Sequence, residues 1–201
     1  MHHSHYVLFA AIILAYLIGS IPSAIVTCKI MGLPDPRKLG SKNPGATNVL
    51  RIGGKTAAII TLLGDVLKAV IVVLIAKRLK FSGFDLCLIT FAVFVGHLYP
   101  IFYSFKGGKG VATAFGCIIS LSLPVGIACV LTWLLCAAVF RYSSLAAIIT
   151  AALAPIYTIY YTNIDYTILV CAIGLLIIYR HQNNIRNLII GREAKIVLKK
   201  N

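Results

Sequence analysis

Long apolar runs alternate with short polar stretches along the chain, and the runs set the elements. Residues 6–28, 56–76 and 86–105 are each predicted to be a span, since about 1.5 Å of rise per residue carries them across a hydrocarbon core of about 30 Å. Residues 111–140 hold no formal charge. As one helix they would measure about 45 Å, too long for an untilted span. Pro124, with Ser120 and Ser122, predicts a break there, giving a short fourth span and a fifth that ends at Arg141. Residues 142–162, with Pro155 inside, form a sixth, Asn163–Asp165 a turn, and 166–179 a rather short seventh. The predicted fold class is an all-α polytopic membrane protein of about seven transmembrane helices, one integral membrane domain over residues 1–201. Gly19-Ser20-Ile21-Pro22-Ser23 interrupts the first span, either as a kink in a packed helix or as a substrate contact.

Composition agrees. The chain is 60% hydrophobic and 12% charged, where a soluble domain is about 25% charged. The first run is too long for a signal-peptide core and lacks a small-x-small cleavage site, so it reads as a retained span. Six cysteines lie within or at the ends of apolar runs with no CxxC pair, and read as small apolar side chains rather than a disulfide framework or metal site. The N-terminal Met-His-His-Ser-His reads as a short polar tail. A net charge of +14, from 19 Lys+Arg against 5 Asp+Glu, would suggest nucleic acid in a soluble protein. Here no nucleic acid is expected, because the positive-inside rule explains most of the excess.

Counting charges gives the orientation. With residues 29–55, 106–109, 141 and the tail from 180 in the cytoplasm, fifteen Lys+Arg lie inside and three (Lys77, Arg78, Lys80) outside, Lys68 being buried. This arrangement needs seven spans, a periplasmic N-terminus and a cytoplasmic C-terminus. A five-span variant in which 142–162 does not cross also keeps the tail inside.

Three polar clusters then fall on one face. Gly40-Ser41-Lys42-Asn43-Pro44-Gly45-Ala46-Thr47-Asn48-Val49-Leu50-Arg51 crowds hydroxyls, amides and glycines around an arginine able to fork onto an oxyanion. Thr47 or Asn48 can alternatively cap the following helix. Lys106-Gly107-Gly108-Lys109-Gly110 combines glycines, which let backbone N–H groups approach a ligand, with fixed positive charge. It is not a nucleotide P-loop, since Gly-x-x-x-x-Gly-Lys-[Ser/Thr] is absent, and it reads equally as a tight basic turn. The third cluster runs from Arg180 to Glu193, with His181 and Asn184 sharing a helical face at i, i+3. Asp65 and Lys68 also stand at i, i+3, inside the second span, either as a functional pair or as an internal salt bridge or partner for a loop cation such as Arg51. His97, at a helix end, reads as a packed, hydrogen-bonded residue or as a base or ligand. Such a surface suits a phosphorylated substrate and, from the lipid side, an acyl chain. A transporter for an anionic solute and a protein that only binds anionic lipid remain the competing classes.

The loop Gly40–Asn48, the stretch His97…Phe105-Lys106-Gly107-Gly108-Lys109-Gly110-Val111-Ala112-Thr113, and Arg180-His181…Asn184-Ile185…Gly191-Arg192-Glu193 together resemble the three signatures of the bacterial acyl-phosphate:glycerol-3-phosphate acyltransferases. The likeness runs from Gly19-Ser20 to Glu193. That family usually has Gly where Lys42 stands. The resemblance implies an enzyme of the bacterial inner membrane, its active site facing the cytoplasm. It would move a fatty acyl group from acyl phosphate to the 1-hydroxyl of glycerol 3-phosphate, giving lysophosphatidic acid and phosphate, as the first acylation of phospholipid synthesis. It implies no cofactor and no metal, and an acyl-phosphate synthase as upstream supplier. Carried over residue by residue, Ser41, Lys109, His181 and Asn184 are the catalytic candidates. Thr47, Asn48, Arg51, Lys106, Gly107, Gly108, Gly110 and Glu193 are the substrate-phosphate-binding ones. Among these, Thr47, Gly107, Gly108 and Lys109 are implied for the acyl-phosphate phosphate, and Arg51, Ser41, His181 and Asn184 for glycerol 3-phosphate or positioning. Glu193 is implied to orient basic partners. The hydroxyl proton goes to a phosphate oxygen or to His181, whose reference pKa lies near neutral.

Overall fold

Backbone N–H and C=O groups in lipid must pair within their own segment, which apolar runs satisfy by coiling. In the computed structural model, which describes residues 4–196, every regular element is accordingly helical. Part of the His-rich N-terminal tail, Met1–His3, lies outside the described residues. The helices are α1 (His5–Gly19), α2 (Ser23–Ile30), α3 (Ala46–Arg78), α4 (Gly83–Leu98), α5 (Val111–Leu121), α6 (Leu123–Phe140), α7 (Ser143–Tyr161), α8 (Ile164–Arg180) and α9 (Gln182–Ile189), with a 3-10 turn at Ile101–Tyr103. Four of them (α3, α4 with its 3-10 turn, α6 and α7) are long and apolar enough to cross a membrane, and up to six spans result if the bent pairs α1/α2 and α8/α9 each count as one. The eleven-residue α5 is apolar but short, about 16 Å.

The chain divides into two compact units, one ending at Leu121 and the other beginning at Ser122. The division coincides with the break expected from Ser120, Ser122 and Pro124, with Pro124 in the first turn of α6, where its missing N–H costs no helical bond.

In the first unit α1 packs on α4, and α3 packs on α2, α4 and α5. The α1–α4 crossing is close because Gly19 and Gly96 face each other: a Cβ on Gly19 would strike the Val93 carbonyl, and one on Gly96 the Tyr16 carbonyl. The Gly19–Ser23 interruption bends the first span by 43° between α1 and α2. There the Ser20 hydroxyl donates to Tyr16 O at 2.9 Å and accepts from the Ile101 N–H at 3.4 Å. In the second unit α7 packs between α6 and α8. Asn163, just before α8, caps it by accepting from the Tyr166 N–H at 3.0 Å.

One expectation needs correction. The second span begins at Ala46 rather than residue 56, so the polar stretch through Lys55 is a loop only as far as Gly45. Gly54, at φ +76°, kinks α3 and separates two polar turns carrying Thr47, Asn48 and Arg51 from the apolar shaft. Gly45 is the residue preceding the helix and no side chain caps it, so neither Thr47 nor Asn48 takes that role.

Candidate active site

The first unit builds its polar end from two loops. Asn48, 1% exposed, organises the earlier one. Its Nδ2 donates to Pro36 O at 2.8 Å and Leu39 O at 3.1 Å, and its Oδ1 accepts from the Ser41 N–H at 2.9 Å. One amide therefore gathers residues 36–41, and a side chain on Gly40 (φ +59°) would collide with it. Asp35 and Arg37 close the same loop with a forked ion pair, 2.7 Å at its shortest. The hydrogen-bonded Arg37 guanidinium holds the Asp35 carboxyl below the usual carboxylate range, and Asp35 in return raises Arg37. The guanidinium also lies 5.6 Å from the centroid of the Tyr103 ring, which ties this loop to the next. Lys42 sits at φ +58°, a left-handed conformation that glycine adopts without penalty.

The second loop leaves α4 at Leu98 and folds back on itself. The Gly107 N–H donates to Leu98 O at 3.2 Å and the Gly108 N–H to His97 O at 3.3 Å. These glycines allow close chain-to-chain approach: a Cβ on Gly108 would collide with the His97 imidazole and come within 3.1 Å of the Pro44 carbonyl oxygen. The two signature loops therefore meet where Gly108 faces Pro44. The amides of Gly107 and Gly108 are committed to backbone carbonyls, so the donors left toward a ligand include Lys106 and the N–H groups at the start of α5. Lys109 is half-buried immediately before that helix start, and Lys106 is exposed. Ser41, Thr47 and Arg51 are exposed on the first loop and the first turns of α3, with Thr47 and Arg51 on one helical face at i, i+4. Among the described residues, neither Arg51 nor Lys106 has a side-chain hydrogen bond or ion pair.

Beneath the loops lies a buried charged cluster. Lys68 Nζ is 3.0 Å from Asp65 Oδ1, 2.9 Å from His97 Nδ1 and 2.9 Å from Ile21 O. Asp65 pairs with Lys68 of its own helix and not with Arg51. His97 is packed and hydrogen-bonded, 6% exposed.

The second unit carries the third signature. His181, 3% exposed, follows the last residue of α8, with Nδ1 2.7 Å from Ile177 O. A carbonyl only accepts, so Nδ1 bears a hydrogen and donates it to Ile177 O. Glu193 Oε1 accepts from Asn184 Nδ2 at 2.7 Å and from the Ser144 hydroxyl at 2.6 Å. These partners are an amide and a hydroxyl; no described ion pair joins Glu193 to a cation. Ser144 does not stand out in the sequence as a site residue. Its one signal was its place in the first turn of α7, three residues after Arg141.

The family model for glycerol-3-phosphate acyltransferase matches residues 9–191. The chain belongs to the glycerol-3-phosphate acyltransferase family. Among members of this family, a glycerol-3-phosphate acyltransferase of Methylococcus capsulatus is 51% identical over 187 residues, covering 92% of this chain and 94% of the relative. One of Dechloromonas aromatica is 51% identical over 191 residues, covering 94% and 96%. The crystal structure of PlsY, an integral membrane glycerol 3-phosphate acyltransferase, in its glycerol 3-phosphate form is 40% identical and superposes with a TM-score of 0.89 over 94% of this chain and 95% of that one. Its lysophosphatidic acid form gives 38% and 0.87 over the same shares. Like that family neighbour, this chain is an integral membrane protein built of several apolar helices.

Proposed function

We propose that the chain transfers a fatty acyl group from acyl phosphate to the 1-hydroxyl of glycerol 3-phosphate, yielding lysophosphatidic acid and inorganic phosphate. The observation that carries this reading is that the two signature loops, which meet at Gly108 and Pro44, each carry cations. Arg51 and Lys106 are exposed and uncommitted among the described residues, and Lys109 stands at the start of α5. Such a set suits anionic phosphate oxygens.

Acyl phosphate is a mixed anhydride and needs no further activation. The hydroxyl oxygen attacks the acyl carbon, the carbon–oxygen bond to phosphorus breaks, and phosphate leaves. What remains for the protein is to hold two phosphates against their repulsion and align the hydroxyl. Lys109, Thr47 and Lys106 are assigned to the donor phosphate, with Gly107, Gly108 and Gly110 shaping the loop that presents them. Arg51 and Ser41 are assigned to glycerol 3-phosphate, and Asn48 holds their loop in shape. His181 and Asn184 are assigned to positioning, with Glu193 steadying Asn184. The proton goes to a phosphate oxygen or to His181 Nε2. The chain would act as one acyltransferase domain of the bacterial inner membrane, with seven spans, a periplasmic N-terminus and a cytoplasmic active site, supplied by an acyl-phosphate synthase and using no metal or cofactor.

Assaying the purified full chain with glycerol 3-phosphate and either acyl phosphate or acyl-CoA tests this. Release of phosphate and lysophosphatidic acid with acyl phosphate alone is expected, and turnover with acyl-CoA alone would overturn the donor. Lys109→Ala is expected to lower kcat/KM by about 10²–10³-fold with the fold retained; near-normal turnover would remove Lys109 from the site.

A further inference from the structure

The cluster beneath the loops has more structure than an ion pair requires. An ammonium group has three N–H donors and no acceptor. Lys68 has three neighbours within 3.0 Å, and they belong to three different parts of the chain: Ile21 O at the α1/α2 interruption, Asp65 Oδ1 one helical turn earlier, and His97 Nδ1 at the end of α4. Each proton is therefore committed, and His97 Nδ1 must accept. The 3.4 Å separation of His97 Nδ1 from Asp65 Oδ1, longer than either bond made by Lys68, agrees with a ring nitrogen that has no hydrogen to offer the carboxylate. The hydrogen of the neutral ring is then on Nε2, the atom that lies against Gly108, itself packed near Pro44 of the other signature loop. His97 also holds Gly108 through its main chain, where its carbonyl accepts the Gly108 N–H.

We infer that Asp65, Lys68 and His97 are a buried positioning unit for acyl transfer. Lys68 fixes His97 as the Nε2–H tautomer, and the ring so fixed sets the stance of the Gly107–Lys109 segment against the Pro44 loop. The unit touches no reacting atom. It acts through Lys109, and in this respect it rests on the acyltransferase reading. Linking the α1/α2 interruption to the loop through one ammonium group gives three separate segments a common reference point. A displacement of about 1 Å in such a segment can cost about 10²-fold in rate.

Nitrogen-15 NMR of the full chain labelled at histidine tests the first half without any substrate. The His97 signals, assigned by their loss in His97→Gln, are expected to show an unprotonated Nδ1 and a protonated Nε2. A ring protonated at Nδ1 would overturn the proposal even if the protein proves an acyltransferase. Conversely, absence of acyl transfer by wild-type protein would sink the function while leaving the tautomer result intact. For the second half, Asp65→Asn/Lys68→Met removes both charges together, which avoids stranding one in the membrane. It is expected to release His97 into a mixture of tautomers and to lower kcat about ten-fold or more with the thermal midpoint retained; wild-type kcat would reduce the cluster to structural support. Should that variant fail to fold, two single replacements still decide. His97→Gln keeps a donor near the position of Nε2, whereas His97→Asn keeps only the acceptor toward Lys68. The Gln variant is expected to retain the higher kcat, and the reverse order would overturn the proposal.

Discussion

His97 and His181 occupy matching places, each buried at the C-terminal end of an apolar helix that opens into a signature cluster, yet their rings are wired in opposite senses. His97 accepts at Nδ1 from Lys68. His181 donates from Nδ1 to Ile177 O. A residue whose reference pKa lies near neutral thus uses Nδ1 as an acceptor in one unit and as a donor in the other. What stands behind the ring decides its role, as with the partners behind metal-bound histidines. In the proposed reaction it is His181, with its hydrogen at Nδ1, whose Nε2 nitrogen is offered the hydroxyl proton.

The sharpest way to break this contrast is to remove that nitrogen. His181→Ala is expected to lower kcat about 10²-fold or more, measured at saturating glycerol 3-phosphate and acyl phosphate, as for loss of a general base. A kcat within ten-fold of wild type would assign the proton to a phosphate oxygen and reduce His181 to a helix terminus. A smaller effect is expected in the same unit from Glu193→Gln. The carboxylate accepts from both Asn184 and Ser144, and an amide accepts both less strongly. A fall of about ten-fold in kcat/KM is expected, and Ser144→Ala should show part of it. No change in either variant would detach Asn184 from this support.

The smallest expected effect concerns backbone rather than side chain. The turn after α9 places glycine, Gly191, at its left-handed position of φ +69°, whereas the first loop places Lys42 at φ +58°. Lys42→Gly should relieve about 1 kcal/mol of strain and leave turnover unchanged. A large loss of activity would show that the lysine contributes chemistry of its own.

The same position shows what the sequence could and could not reveal. Lys42 was visible as a departure from a family pattern, but its left-handed backbone was not, because lysine carries no signature of that conformation. The apolar runs gave the helices and the Pro124 break, since lipid leaves a chain so few choices. They placed the start of α3 ten residues late, because Thr47, Asn48 and Arg51 are polar yet helical. Glycines at 107 and 108 suggested amides open to phosphate; the carbonyls of Leu98 and His97, brought back by the turn at Ile101–Tyr103, occupy them. Asn48 suggested a ligand contact, but the fold of its own loop uses both of its N–H donors and one lone pair of Oδ1. Asp65 and Lys68 were legible as a pair from spacing alone, whereas the arrival of His97 depended on tertiary packing.

That pair also bears on how the protein is made. Each charge placed alone at the centre of a span costs about 2.5–3.5 kcal/mol on insertion. Asp65 and Lys68 are one turn apart and in contact at 3.0 Å within α3 itself. The helix therefore carries its own counter-ion out of the ribosome and can enter the bilayer as a neutral segment before His97, twenty-nine residues downstream, has been synthesised.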